Sequence, residues 1–410
     1  MSGASPRIVA RGTPLNSMSH RARIYVVQAS ALVIALGVVL WSCAGGNGDS
    51  DPSTEAASGS HANNEPVDPD ANAEPSEPLP DTTNVYANTL GSDDLSEKVA
   101  DVPTRVYVPN NDSATVDVID PTTFEIINTF PVGALPQHVV PSWDLSTLYV
   151  NNNIGNTLTP IDPVTGEPGE SFPIQDPYNL YFTPDGSKAI VVAERDMRLD
   201  FYDPDTWEPI GQVSIPHEGV NHADFTPDGK TALFSCEFSG WVVRVDVENL
   251  TVTGELEVGG EPIDVKLSPD GSKFYVANHV RAGVSIIDAN TMTEIGFTET
   301  GQGAHGLYPS RDASKLYVSN RLDGSVSVLD FNTGELLEHW PIGGSPDMGG
   351  VSTDGSQLWL SGRYNNEVYV IDTATGELIR TIPTTGSGPH GLALFPQPGE
   401  YSMGHTGNYR

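Results

Sequence analysis

From residue 104 onward the hydrophobic positions come in short runs separated by polar turns, and the arrangement recurs. One run opens each unit: PQHVVPSWD (136–144), PYNLYFTPDG (177–186), VNHADFTPDG (220–229), PIDVKLSPDG (262–271), AHGLYPSRDAS (304–314), PDMGGVSTDG (346–355) and PHGLALFPQPG (389–399). A Pro-Asp-Gly turn or its equivalent follows, with glycine supplying the positive φ. A second apolar run comes next, as in SKAIVVAE, KTALFSCE, SKFYVANH and SKLYVSNR. The third run alternates and ends in Asp, as in RLDFYD, GVSIID, SVSVLD and EVYVID. A turn such as Thr-Ala-Thr-Gly-Glu then leads to a short outer run. Apolar runs and period-two alternation between turn residues predict strands rather than helices.

Counting from one position in each unit gives 138, 179, 222, 264, 305, 348 and 390, with spacings of 41, 43, 42, 41, 43 and 42. A period near 42 suits a four-stranded propeller blade. The two ends complete each other. TRVYVPNNDSATVDVIDPTTFEIINTF (104–130) supplies a second, third and fourth strand without a first, while 389–396 is a first strand with nothing after it. The expected fold is therefore all-β: a seven-bladed β-propeller of four-stranded blades, closed by the C-terminal strand joining the N-terminal blade. An open solenoid would leave half a blade exposed at each end, and closure removes those edges.

The tags LYVNN, FYVANH and LYVSNR, followed by VxVID-like strands, resemble the YVTN-type β-propeller family over residues 104–396. The resemblance implies a seven-bladed propeller, secreted or surface-attached. It also implies kinship with the propellers of cytochrome-type nitrite reductase and nitrous oxide reductase.

Residues 1–43 read as a signal segment. IYVVQASALVIALGVVLWSC (24–43) is apolar and uncharged, with Arg21 and Arg23 just before it, the basic-side-in pattern of export. Leu40-Trp41-Ser42-Cys43, followed by Ala44-Gly45-Gly46, resembles a bacterial lipoprotein signal, which implies a lipid on Cys43. The other reading is an uncleaved membrane span, for which the run is just long enough. Both place the remainder on the extracytoplasmic side of the cell membrane, tethered to it. Residues 44–103 are acidic, polar and poor in aromatics, and are expected to form a disordered linker. The propeller and a short C-terminal tail occupy 104–410.

Charge narrows the function classes. There are 54 acidic and 20 basic residues, a net charge of -34, and four of the basic ones precede the apolar run. Such a surface repels phosphate backbones, so nucleic acid is excluded as a partner. Two cysteines, Cys43 and Cys236, make no disulfide framework. Cys236 reads as a small buried hydrophobe. No G-x-S-x-G elbow, CxxCH haem site, phosphate loop or HExxH is present.

In a propeller the first strand of each blade is innermost, so equivalent positions ring the axis. The expected ring is His138, Asn179, His222, Asp264, His305, Met348 and His390. The loops after the second strands open on the same face and carry Asn151, Asn152, Glu194, Glu237, His279, Arg321 and Arg363. His138, His222, His305 and His390 are candidate metal ligands, since imidazole suits copper, zinc and iron. Bonds of about 2.0–2.1 Å demand tight convergence, which a wide channel opposes. The resemblance to nitrous oxide reductase implies copper on channel histidines. The structural alternative has each histidine bonded to its own loop or to channel water. Asn179, Asp264, Met348, Arg321 and Arg363 are candidate ligand contacts, the two arginines for a carboxylate. Glu194 and Glu237 read either as an acid–base pair or as solvated loop carboxylates.

The reading that follows is a lipid-anchored, monomeric binding or interaction module that takes a small ligand, a metal or a protein partner on the histidine-bearing face. The alternatives are a metal-dependent oxidoreductase or lactonase-like hydrolase on the same face, and a scaffold without a site.

Overall fold

The fourth blade shows how the repeat folds: Val220–Phe225, Thr231–Cys236, Trp241–Asp246 and Thr251–Glu257 pair in chain order as one antiparallel sheet. Burial falls from inside to outside. The innermost strand is buried at every residue, and the outermost is exposed at every second one. The gradient explains the sequence pattern, because only a strand covered on both faces tolerates a continuous apolar run. The computed structural model describes residues 84–405 and 408–410, and within them seven such four-stranded sheets form a seven-bladed β-propeller. The signal segment, Cys43 and the linker up to residue 83 lie outside the described residues.

Adjacent blades are joined by their facing sheets. Tyr181, Ile190, Val192 and Phe201 of the third blade pack on Ala223, Phe234 and Val243 of the fourth. Fully burying one side chain such as Phe234 stabilises by roughly 1.5–3 kcal/mol, and each such seam collects many.

The closing blade is built from both ends of the propeller. Ala393–Phe395 pairs with Arg105–Asn110 in the register Arg105↔Phe395, Val106↔Leu394 and Tyr107↔Ala393. The strand is shorter than the 389–396 expected. Ahead of it, Asn110 bridges Pro389, and Gly391 then bridges His138 of the second blade, donating to Gln137 O at 3.0 Å. A Cβ on Gly391 would collide with the His138 ring, so this close approach needs glycine.

Each remaining innermost strand slips register near its start, between Pro136 and Val139, Pro177 and Asn179, Val220 and Ala223, Pro262 and Val265, Ala304 and Leu307, and Pro346 and Gly349. These are β-bulges, which bend a strand and re-aim its side chains. The bulges lie at one end of the channel, and that end is the mouth.

The folded unit begins earlier than residue 104. Tyr86 is buried, sets its ring 5.4 Å from that of Phe331 at a tilt and donates its hydroxyl to Leu267 O at 2.8 Å. Two short 3-10 turns follow, Ser92–Asp94 and Glu97–Val99, and Val99 joins the core beside Tyr107, Leu145 and Phe395. A few apolar residues among many acids, without the blade period, gave this segment the composition of a linker.

The C-terminal tail closes the channel at the end away from the mouth. Met403 O accepts from Phe182 N at 3.0 Å, and Gly404 bridges Tyr181. Asn408 donates to Ala223 O at 3.0 Å and accepts from Lys266 Nζ, while Arg410 reaches Asp224 at 3.3 Å. A small cavity of about 50 Å³ remains between tail and wall, lined in part by Tyr86, Arg311, Gln397, His405 and Tyr409.

Candidate ligand-binding site at the channel mouth

The seven residues expected to form one ring occupy two levels. Counted from each strand start, His138, Asn179, His222, Asp264 and Met348 are third residues. His305 is a second residue and Gly306 the third; His390 likewise precedes Gly391. Aligning on histidine rather than on the strand start hides this offset. The second-residue level also holds Asp347, which sequence reasoning missed because its neighbour Met348 filled the counted position.

Asp347 is the hub of the upper level. It is fully buried, and its carbonyl accepts from Ser319 Oγ at 2.6 Å. Arg321 Nε and Nη2 approach its Oδ1 at 2.8 and 2.6 Å. His390 Nδ1 lies 2.8 Å from Oδ2. His305 Nδ1 lies 3.1 Å from Oδ1 but makes no hydrogen bond to it. Burial would raise the Asp347 carboxyl, yet Arg321, His305 and Arg363 outweigh it and hold it below the ordinary value. Burial, with Arg321 beside His305 and Arg363 beside His390, pushes both imidazoles well below theirs. At neutral pH the group is a carboxylate among neutral imidazoles and two guanidiniums. A carboxylate only accepts, so His390 carries its proton on Nδ1.

One level deeper, His138 is held by Nδ1 donating to Tyr178 O at 2.8 Å, and burial drives its pKa down to about 3. His222 Nδ1 accepts from Asn179 Nδ2 at 3.2 Å. His405 arrives from the tail, with its ring centroid 4.1 Å from that of His138 and 5.7 Å from that of His222. Among the described residues no three His, Cys, Asp or Glu side chains are grouped to hold one ion. The four expected metal ligands lie on two levels, His305 and His390 beside Asp347 and His138 and His222 below, with the His138 ring centroid 5.0 Å from that of His390 and 5.4 Å from that of His222.

Three other candidates belong to the channel wall. Asp264 accepts from Val265 N at 2.9 Å and from Leu307 N at 2.8 Å, which staples the fifth blade to the sixth. Burial raises its carboxyl to about 6, with Lys266 pulling the other way. Asn179 donates to Tyr181 Oη at 3.2 Å and accepts from Leu180 N at 2.9 Å. Met348 is fully buried, with Sδ 3.9 Å from Tyr308 Oη. Cys236 lies in the core, where burial pushes its thiol up to about 12, as suits a small hydrophobe.

A true ring surrounds the mouth. The residue that follows each second strand is, blade by blade, Asn111, Asn153, Glu194, Glu237, His279, Arg321 and Arg363. Asn151 and Asn152, expected in this loop, are instead buried inside Leu148–Asn152. The glutamates are not freely solvated. Burial and then Glu237 push Glu194 well above the ordinary range, and burial lifts Glu237 to about 7 against the pull of Arg321. Asn221 Nδ2 donates to Glu237 Oε2 at 2.8 Å. Arg363 Nη1 lies 4.0 Å from Asp347 Oδ2, buried and without a hydrogen-bond partner. His279 Nε2 and Asn111 Oδ1 are also buried without partners.

A family model described as YNCE-like beta-propeller matches residues 92–397. The dihydro-heme d1 dehydrogenase of Pseudomonas aeruginosa is 30% identical over 105 residues, which cover 26% of this chain and 20% of that protein. The chain thus spans about a fifth of that curated relative. A solved protein from Desulfotomaculum acetoxidans, titled functionally unknown, superposes with a TM-score of 0.62 at 20% identity, covering 71% of this chain and 98% of that one. Kuenenia stuttgartiensis hydrazine synthase gives 0.55 at 18% identity, covering 62% and 87%. The dihydro-heme d1 dehydrogenase NirN, in complex with DHE, gives 0.55 at 15% identity, covering 72% and 75%. At these identities the solved structures share the fold.

Proposed function

The chain belongs to the YNCE-like beta-propeller family, and from that premise we propose that it is a binding module which takes a small carboxylate-bearing ligand at the channel mouth. One observation carries this reading: Arg363 Nη1 is buried, has no hydrogen-bond partner and sits beside an Asp347 carboxylate already engaged by Arg321 and His390. A buried donor without an acceptor costs about 1–3 kcal/mol, more when charged, and an incoming carboxylate would recover it. The neutral imidazoles of His305 and His390 add dipoles without adding charge. NirN, which shares the fold, is solved in complex with DHE.

The reading includes the tether: a chain carried outside the cytoplasmic membrane and anchored at Cys43, supported by Arg21, Arg23 and the apolar run 24–43. The test of the site is calorimetric titration of the protein with caproate and adipate, beside its Arg363→Gln variant. Saturable binding that weakens about tenfold or more in the variant is expected for loss of a charged hydrogen bond. Absence of binding by either acid would overturn the reading.

A further inference from the structure

We propose that the ligand of this mouth is bipolar, with its carboxylate at Arg321 and Arg363 and an ammonium group at Glu194 and Glu237. The inference rests on the carboxylate site proposed above and adds the group at the other end.

The mouth ring runs Asn, Asn, Glu, Glu, His, Arg, Arg around the axis. The glutamates stand on the third and fourth blades and the arginines on the sixth and seventh. Three steps is the widest separation that a seven-membered ring allows, and Glu194 stands three from both arginines and Glu237 three from Arg363 and two from Arg321, so the two charged pairs lie on opposite sides of the opening. Composition does not explain this: with acids outnumbering bases 54 to 20, two arginines side by side at one mouth stand against the trend.

Neither side is neutralised from within. On the basic side one carboxylate, Asp347, serves two guanidiniums, so net positive charge remains. On the acidic side Arg195 is tied to Asp176 at 2.6 Å, and Arg321, which acts on Glu237 across the ring, is held by Asp347. Glu261, next along, is paired with His279 at 3.2 Å. Glu237 adds to burial in raising the Glu194 carboxyl, and Asn221 gives Glu237 an amide as a neutral donor. A cation between the two carboxyls would favour their ionised forms. A second observation points to a ligand rather than to solvated loops. Asn111 is 3% exposed and donates Nδ2 to Gln137 at 2.8 Å, while its Oδ1 has no partner; His279 Nε2 and Arg363 Nη1 share that state on the same ring. The acceptor, the imidazole nitrogen and the guanidinium donor await groups that the protein itself does not supply. A dianion is repelled at the glutamates and a diamine at the arginines, which leaves an amino carboxylate as the complementary class.

The experiment titrates the full-length protein with ε-aminocaproate, caproate, adipate and hexamethylenediamine, and adds shorter ω-amino acids down to β-alanine to vary the span. The best ω-amino acid is expected to bind about tenfold tighter than caproate, adipate or the diamine. Glu237→Gln should reduce it to the level of caproate. Glu194→Gln serves as the second variant should Glu237→Gln unfold, and thermal midpoints report which variants are folded. If caproate or adipate binds as tightly as every ω-amino acid and the glutamine variants change nothing, the bipolar ligand is overturned while the carboxylate site stands. Tightest binding by the diamine overturns the bipolar ligand as well. If no carboxylate binds at all, both readings fall together.

Discussion

The rings of His138 and His405 lie with centroids 4.1 Å apart, one from the inner strand of the second blade and the other from the tail beneath it. The tail is thus part of the channel, and Met403 and Tyr409 are buried with it. Truncation after Gln397 should destabilise the protein by about 3 kcal/mol or more, from the loss of two buried apolar side chains. Urea unfolding of the truncated and full chains checks this; an unchanged midpoint would show the tail to be an ornament.

Five buried histidines give acid lability. His138, His222, His305, His390 and His405 all have folded pKa values pushed below the ordinary value by burial. Below about pH 6.5 the unfolded chain takes up protons that the folded one refuses, so stability is full above that pH and falls as pH drops. The slope is roughly 1.4 kcal/mol per pH unit for each histidine. Asp347, whose pKa is lowered, adds to the loss only below its unfolded value near 3.8. Denaturation midpoints at pH 8, 6 and 5 should fall steeply; a flat profile would contradict the neutral cluster.

Glu237 works in the opposite sense. Its carboxyl is lifted to about 7, so the folded state favours the proton and loses stability as pH rises from about 4.5 through 7. Glu237→Gln should be about 1–2 kcal/mol more stable than the parent at pH 8, a figure reduced for partial solvent access, and nearly equal to it at pH 4. Equal stability at both pH values would mean that the carboxylate is comfortably solvated.

Ring closure depends on Leu394, which is buried among Val106, Trp359 and Val370. Leu394→Ala should cost about 2–5 kcal/mol by opening a cavity at the joint. Gly391→Ala should cost about 1–3 kcal/mol through overpacking against His138. Thermal unfolding of both variants measures the two effects separately.

Anchoring is tested at Cys43. Cys43→Ser should move the protein from the detergent phase to the aqueous phase on phase partitioning, whereas a membrane span would hold both forms in detergent.

Much of the fold was legible because a propeller repeats its physics. The 42-residue period, the Pro-Asp-Gly turns and the complementary half blades at 104–130 and 389–396 each required the same ring. The site was legible only in part. Arg321, Arg363, Glu194 and Glu237 stood out because their positions recur blade by blade. Asp347 did not, because an aspartate in a turn-rich acidic chain carries no signal until the bulge aims it at the axis. The offset of His305 and His390 is likewise a matter of where each strand begins, which composition does not encode. Residues 84–103 and the tail make single, non-repeating contacts, and periodicity is blind to these.

The joint between Arg105 and Phe395 also sets an order of events. A ribosome that has finished six sheets still holds a seventh without its inner strand, and nothing upstream can substitute for it. The slowest pairing, between segments far apart in the chain, therefore comes last. Until then the assembly is an open arc, and the circle shuts only once its far segment is in place.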